Sequence, residues 1–263
     1  MQSDLKPIFY DFPKGENLTI YPVGDVHYGS EEFNLDMWEE LIGKVRSNSN
    51  AYVMLVGDLI DNGTKSSVTN CFRATATPGQ QKRWLAEQLK PISDRILCAV
   101  SGNHESRQAN VDADDNPLFD VMAKLDLEDR YRENGCFVAI RINQDRKAAG
   151  KDRPTYTFFV THGAGGGALI GGGANRNERF ASHIEGVDVF VSGHTHKGMA
   201  FPVSRLKFDT HNKQIIQQKS YCCVVSSFLN YGGYPIQKML PPSSQGLTEI
   251  TLSRQHKHIK ITI

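Results

Sequence analysis

Five short apolar runs in this chain end in the same way. LTIYPV (18–23) runs into GDVH, YVMLV (52–56) into GDLID, RILCAV (95–100) into SGNHE, YTFFV (156–160) into THG, and VDVFV (187–191) into SGHTH. Short continuous apolar runs bounded by glycine are the pattern of strands buried on both faces. Each delivers a polar cluster at its carboxyl end, where open α/β sheets bind ligands.

Helical patterns separate the early runs. Phe33, Met37, Trp38, Leu41, Ile42 and Val45 trace one apolar face. Thr77–Pro78 followed by QQKRWLAEQL gives an N-cap and a proline at the first helical position. PLFDVMAKLDL, from Pro117, gives a third helix. The alternation predicts an α/β core. After Gly135 the runs CFVAIRI, FPVSRLKF, YCCVVSSFL and HIKITI predict a second sheet packed on the first, with little helix between. No linker divides the chain, so residues 1–263 are expected to form one domain. The glycine-rich stretch GAGGGALIGGGAN (163–175) reads as a loop.

The strand-end clusters collect Asp25, His27, Asp58, Asp61, Asn103, His104, Glu105, His162, His194 and His196, and hold five of the nine histidines. Imidazole and carboxylate without thiolate suit Mn, Fe, Zn or Ni. An ionised aspartate has two oxygens and can bridge two cations. Two metals about 3.5–4 Å apart stabilise an in-line displacement at phosphorus. One cluster alone would be an ordinary turn or helix cap; the shared order, glycines and strand-end positions are what point to a centre. His183, in a helical segment, and His256 and His258, in an alternating terminal strand, read as structural or solvated.

The series GDVH, GDLID, GNHE, THG and GHTH resembles the calcineurin-like metallophosphoesterase superfamily, over about residues 18–200. The chain looks most like the small members found in bacteria and their phages. The resemblance implies a four-layer α/β/β/α sandwich: two mixed β-sheets flanked by helices, with a dinuclear metal centre at the strand carboxyl ends. Carried over position by position, Asp25, His27 and His196 correspond to ligands of one metal and Asn103, His162 and His194 to ligands of the other. Asp58 corresponds to the bridging carboxylate. His104 matches the non-ligand histidine beside the leaving group, and Asp61 the aspartate that orients and charges it. Glu105 is either an outer partner or a helix cap. The implied cofactor is a pair of divalent ions, Mn first, with Fe, Zn or Ni compatible.

Departures narrow the substrate. Protein serine/threonine phosphatases of the superfamily carry arginine after the residue matching Asp61; here it is Asn62. The DNA-repair exonuclease branch has aspartate where this chain has Glu105, and purple acid phosphatases have a tyrosine ligand where Leu59 and Ile60 stand. The expected activity is a phosphodiesterase on a nucleotide-derived or nucleic-acid substrate, by attack of a metal-bridging hydroxide. A phosphomonoesterase on a small metabolite or nucleotide is the alternative, and a non-catalytic scaffold of the same fold the third. Arg107, Arg73 and Arg176 are candidate phosphate contacts, with Lys65 and Arg179 in the same bordering segments, 62–78 and the glycine-rich stretch.

Composition adds bounds. A formal net charge of +1 does not advertise a nucleic-acid or membrane partner. Five cysteines with no CxxC suggest neither a disulfide framework nor a thiolate zinc site. No run approaches a membrane span and the amino terminus lacks a signal-peptide core, so a cytoplasmic protein without a membrane partner is expected. Oligomeric state is left open.

Overall fold

Each apolar run becomes a strand that stops where its polar cluster begins. The computed structural model describes residues 5–64, 67, 71–106, 115–143 and 154–263. In chain order the strands are β1 (Ile8–Pro13), β2 (Leu18–Val23), β3 (Ala51–Leu55), β4 (Ile96–Val100), β5 (Tyr131–Arg132) and β6 (Gly135–Asn143). Then follow β7 (Thr155–Thr161), β8 (Val189–Ser192), β9 (Met199–Asp209), β10 (Gln214–Val224), β11 (Glu249–Leu252) and β12 (Ile259–Thr262). They form two six-stranded sheets, ordered β12-β11-β2-β3-β4-β5 and β1-β6-β7-β8-β10-β9. Strands β2 to β5 are parallel, as are β7, β8 and β10, while β11, β12 and β9 pair antiparallel.

The continuous apolar runs are explained by what covers their two faces. In β3, Val53 and Leu55 face a helical layer, whereas Met54 faces the second sheet. The inter-sheet core joins Ile20, Met54 and Cys98 to Ile140, Phe158 and Val191, all buried. Helices α1 (Leu35–Ser47), α2 (Pro78–Leu89) and α3 (Pro117–Lys124) lie on the outer face of the first sheet. Their apolar stripes, including Trp38, Leu41, Leu85, Leu89, Val121 and Met122, pack there. The Asn34 side chain caps α1 by accepting from the Met37 N–H, and Thr77 with Gln80 forms a capping box on α2. Helix α4 (Ile170–Ala181) covers the second sheet, where Ala181 meets Phe190 and Cys222, with Phe137 and Phe159 alongside. A short α5 (Gly233–Gln237) lies in the connection to β11. The layers are therefore helix, sheet, sheet, helix.

Three local placements differ from expectation. The glycine-rich stretch is irregular only to residue 169, because α4 begins at Ile170 and takes in Gly171–Gly173. A Cβ on buried Gly173 would stand 3.2 Å from Met199 Cε and 3.4 Å from Thr195 Oγ1. Glycine there lets the helix lie close against the loop after β8. His256 and His258 fall in an exposed turn before β12 rather than in the strand, and His183 in the exposed turn after α4.

Candidate metal centre

The loops after β2 and β3 run together as a zipper. Asp25 N–H donates to the Gly57 carbonyl (3.0 Å), Val26 and His27 to that of Asp58 (2.8 and 3.0 Å), and Asp61 to that of Tyr28 (2.9 Å). A helical turn from Asn103 follows β4. Gly57 has φ +86°, and a Cβ there would collide with Gly102 N. One on Gly102 would collide with the Asp58 carboxylate. Two glycines are thus what let the loops after β3 and β4 touch. Gly193 is also a close approach: its Cβ would lie 2.8 Å from Asp25 Oδ2. It does not carry the turn. The left-handed backbone falls on His194 (φ 69°) and His196 (φ 57°) themselves, as it does on Asp25, His27 and Asp58.

These loops bring nine of the predicted side chains into one place. Asp25, His27 and His196 offer ligand atoms within 4.8 Å of one another, and so do Asp58, His162 and His194. His27 Nε2 lies 3.1 Å from His196 Nε2, and His196 Nε2 3.5 Å from Asp25 Oδ1. His162 Nε2 lies 3.1 Å from Asp58 Oδ2, 3.1 Å from Asn103 Oδ1 and 3.2 Å from His194 Nδ1. The other ring nitrogen of His162 donates to the Val56 carbonyl (2.8 Å), which leaves Nε2 as the nitrogen presented to the cluster. Asp58 Oδ2 also lies 3.8 Å from His27 Nε2, so it stands between the two groups. His27, Asp58 and His104 form a third possible group.

Electrostatics describe a cluster of acceptors forced together. Burial, then His104, pushes His27 well below its ordinary range, and burial, then His162, lowers His194. Burial works against the charged His162 ring, yet the Asp58 carboxylate outweighs it and lifts that histidine to about 10. Burial opposes ionisation of Asp58, but His162 and its neighbours hold this carboxyl far below the carboxylate range. Burial raises Asp25. Lone pairs of imidazole, carboxylate and amide oxygen converging at about 3 Å fit divalent cations, with borderline nitrogen and hard oxygen donors and no sulfur.

His104 is held differently. Its Nδ1 donates to the Asp61 main-chain carbonyl (2.7 Å) and lies 3.4 Å from that residue's carboxylate. Burial disfavours its charge, but the Asp61 contacts and Asp58 raise it to about 9. The orienting contact is therefore chiefly the Asp61 backbone, with the carboxylate supplying charge.

Three supporting side chains had no strand-end signal. Asn62 donates from Nδ2 to the His104 carbonyl (3.0 Å). Fully buried Gln81, on α2, accepts from Asn62 N–H (2.8 Å) and donates to the Ala76 carbonyl (2.7 Å). Ser227 Oγ and the Phe228 N–H both donate to the Asp25 carbonyl (3.0 Å each), so the chain after β10 buttresses the centre. Glu105 fills both of its expected roles. Buried at 1% exposure, it reaches back to Gly102 N–H (2.8 Å) as a helix cap. It also accepts from Asp58 N–H (2.9 Å) and Leu59 N–H (2.7 Å).

Of the three candidate phosphate-contacting arginines, Arg73 and Arg176 fall among the described residues. Exposed Arg73 pairs with Glu31 (2.6 Å), and Arg176 donates to the Ala164 carbonyl (2.5 Å), two residues beyond His162. Arg107 and Lys65 lie outside the described residues.

A family model described as calcineurin-like phosphoesterase matches residues 18–198. No curated protein matches the chain. Among solved structures, a conserved uncharacterized protein of Streptococcus pneumoniae TIGR4, described as a predicted phosphoesterase, is similar at 13% identity, with a TM-score of 0.35. That match covers 94% of this chain and 97% of the other. Among the described residues, no helix is long and apolar enough to cross a membrane.

Proposed function

This chain belongs to the calcineurin-like phosphoesterases, whose family model covers residues 18–198, and from that membership we propose that it is a dinuclear-metal phosphodiesterase acting on a nucleotide-derived or nucleic-acid substrate. The observation that carries this reading is the position of Asp58 between two separate groups of ligand atoms. In this assignment Asp25, His27 and His196 hold one ion, Asn103, His162 and His194 hold the other, and Asp58 serves both. When bound, two divalent cations supply Lewis acidity at the phosphoryl group and acidify water enough for attack near neutral pH; Mn is the ion to try first.

The chain's own residues supply the rest. His104 is the proton donor to the leaving oxygen. Its Nδ1–H is spoken for by the Asp61 carbonyl, and its raised proton affinity keeps a proton on Nε2. Asp61 sets the ring's direction and favours its charge. The diester preference is supported by Asn62, which is buried and turned toward the His104 carbonyl. Position 62 thus offers no guanidinium to grip the extra charge of a monoester.

Purified protein loaded with Mn should hydrolyse bis-p-nitrophenyl phosphate with a higher kcat/KM than p-nitrophenyl phosphate. Cleavage of the monoester alone would refute the diester reading. Failure to cleave either one while metal is bound would refute the enzymatic one.

A further inference from the structure

Ahead of Tyr221, β10 and its partner β9 extend past the start of β8. Val189 of β8 pairs with Tyr221, so among the described residues Gln214–Ser220 of β10 form ladder pairs only with β9. The two strands project as an arm whose outer edge, along β9, ends the sheet. Isolated two-stranded ribbons are marginal in water. This one also carries Leu206 at 75%, Phe208 at 71% and Ile215 at 69% exposure. Phe208 stands across from Ile215, and alternation puts Leu206 on the same face.

Tyr221 N–H donates to the Asp188 carbonyl (2.8 Å), away from β9. Its cross-strand partner Pro202 therefore turns its backbone outward, where a missing N–H costs no ladder bond. By alternation, Ser204, Leu206 and Phe208 also direct N–H and C=O to the open edge. Arg205, Lys207 and Asp209 bond inward to β10 and place their side chains on the opposite face.

We propose that this arm pairs with the arm of a second copy of the chain, antiparallel, about a two-fold axis at Lys207. In that register the open-edge groups of Leu206 in one protomer meet those of Phe208 in its partner, and the reverse. The apolar side chains stack as two Leu–Phe pairs beside Ile215. On the other face, Arg205 of each protomer stands opposite Asp209 of its partner. Arg205 donates to the Ala181 carbonyl and Asp209 accepts N–H groups of its own turn, yet each retains capacity for the new pair. The axis at Lys207 sets that lysine against its own copy, one like-charge pair beside two Arg205–Asp209 pairs, whereas an axis at Leu206 would set Arg205 against Lys207 twice, two like-charge pairs with no opposite pair beside them. Moving it to Phe208 would set Leu206 against turn residue Thr210. The axis at Lys207 joins two six-stranded sheets into one and gives an isologous interface.

The arm is at the far end of β10 from Val224, which pairs with Ser192 beside the metal loops, so dimer and activity are separable. Light scattering after size exclusion should give twice the chain mass for the wild type. Leu206→Ser/Phe208→Asp, both at exposed positions, should halve that mass and leave diester hydrolysis unchanged. Lys207→Cys should become a disulfide-linked dimer when copper–phenanthroline takes up the two thiol electrons, because the axis pair is a non-hydrogen-bonded one with Cα atoms about 4.5 Å apart, within disulfide reach. The wild type, with Lys207 in place, should stay uncrosslinked. A monomeric wild type, a dimer that survives the double substitution, or a dimer that Lys207→Cys fails to crosslink would each overturn the proposal.

Discussion

At the scale of single residues, the proposed ligand positions carry their own backbone strain. Asp25 (φ 51°), His27 (φ 49°), Asp58 (φ 51°), His194 (φ 69°) and His196 (φ 57°) all sit in the left-handed region. Such residues cost about 1–3 kcal/mol each and persist only where surroundings over-determine them. Glu105 is one such determinant, because its two oxygens take N–H groups from the loops after β3 and β4. Glu105→Gln would point an amide N–H₂ at those donors. It should weaken Mn binding about 10–100-fold, read by isothermal titration, in line with other outer partners of metal ligands. Unchanged affinity would mean that the clamp does not position Asp58. His104→Ala removes the proton donor but none of the assigned ligands. It should lower kcat by about 10²–10⁴-fold while metal content by mass spectrometry stays the same. Loss of one metal in that variant would instead make His104 a ligand, as the His27–Asp58–His104 grouping allows.

At the scale of elements, what the sequence made legible was local, and what it hid was brought in from afar. Strand ends and helix starts were readable because their signals are contiguous: an apolar run, a glycine, a cap. Thr77–Pro78 is the clearest case, and Thr77→Ala should destabilise the fold by about 0.5–2 kcal/mol, measurable as a lower urea midpoint with an unchanged slope. An unaltered midpoint would show that the capping box contributes nothing. The nine side chains of the cluster were legible for the same reason, since each closes a strand. Gln81 and Ser227 were not, because each reaches the site across more than one element and looks like an ordinary polar residue in its own segment. The helix through Gly171–Gly173 was also hidden. Glycine reads as a helix breaker unless the close approach to Met199 and Thr195 is known. The turn through His194 and His196 was hidden as well, because it rests on their own left-handed φ angles, which histidine does not announce.

At the scale of the whole molecule, the centre belongs to neither sheet alone. Loops of the first sheet supply Asp25, His27, Asp58 and Asn103, and loops of the second supply His162, His194 and His196. Packing the inter-sheet core is therefore what sets the two donor groups side by side, and metal binding is linked to that packing. The most direct measurement is anomalous diffraction from crystals of the Mn-loaded protein. Two peaks about 3.5–4 Å apart, with His194 on one ion, His196 on the other and Asp58 touching both, are the predicted result. A single peak carrying both histidine rings would contradict it.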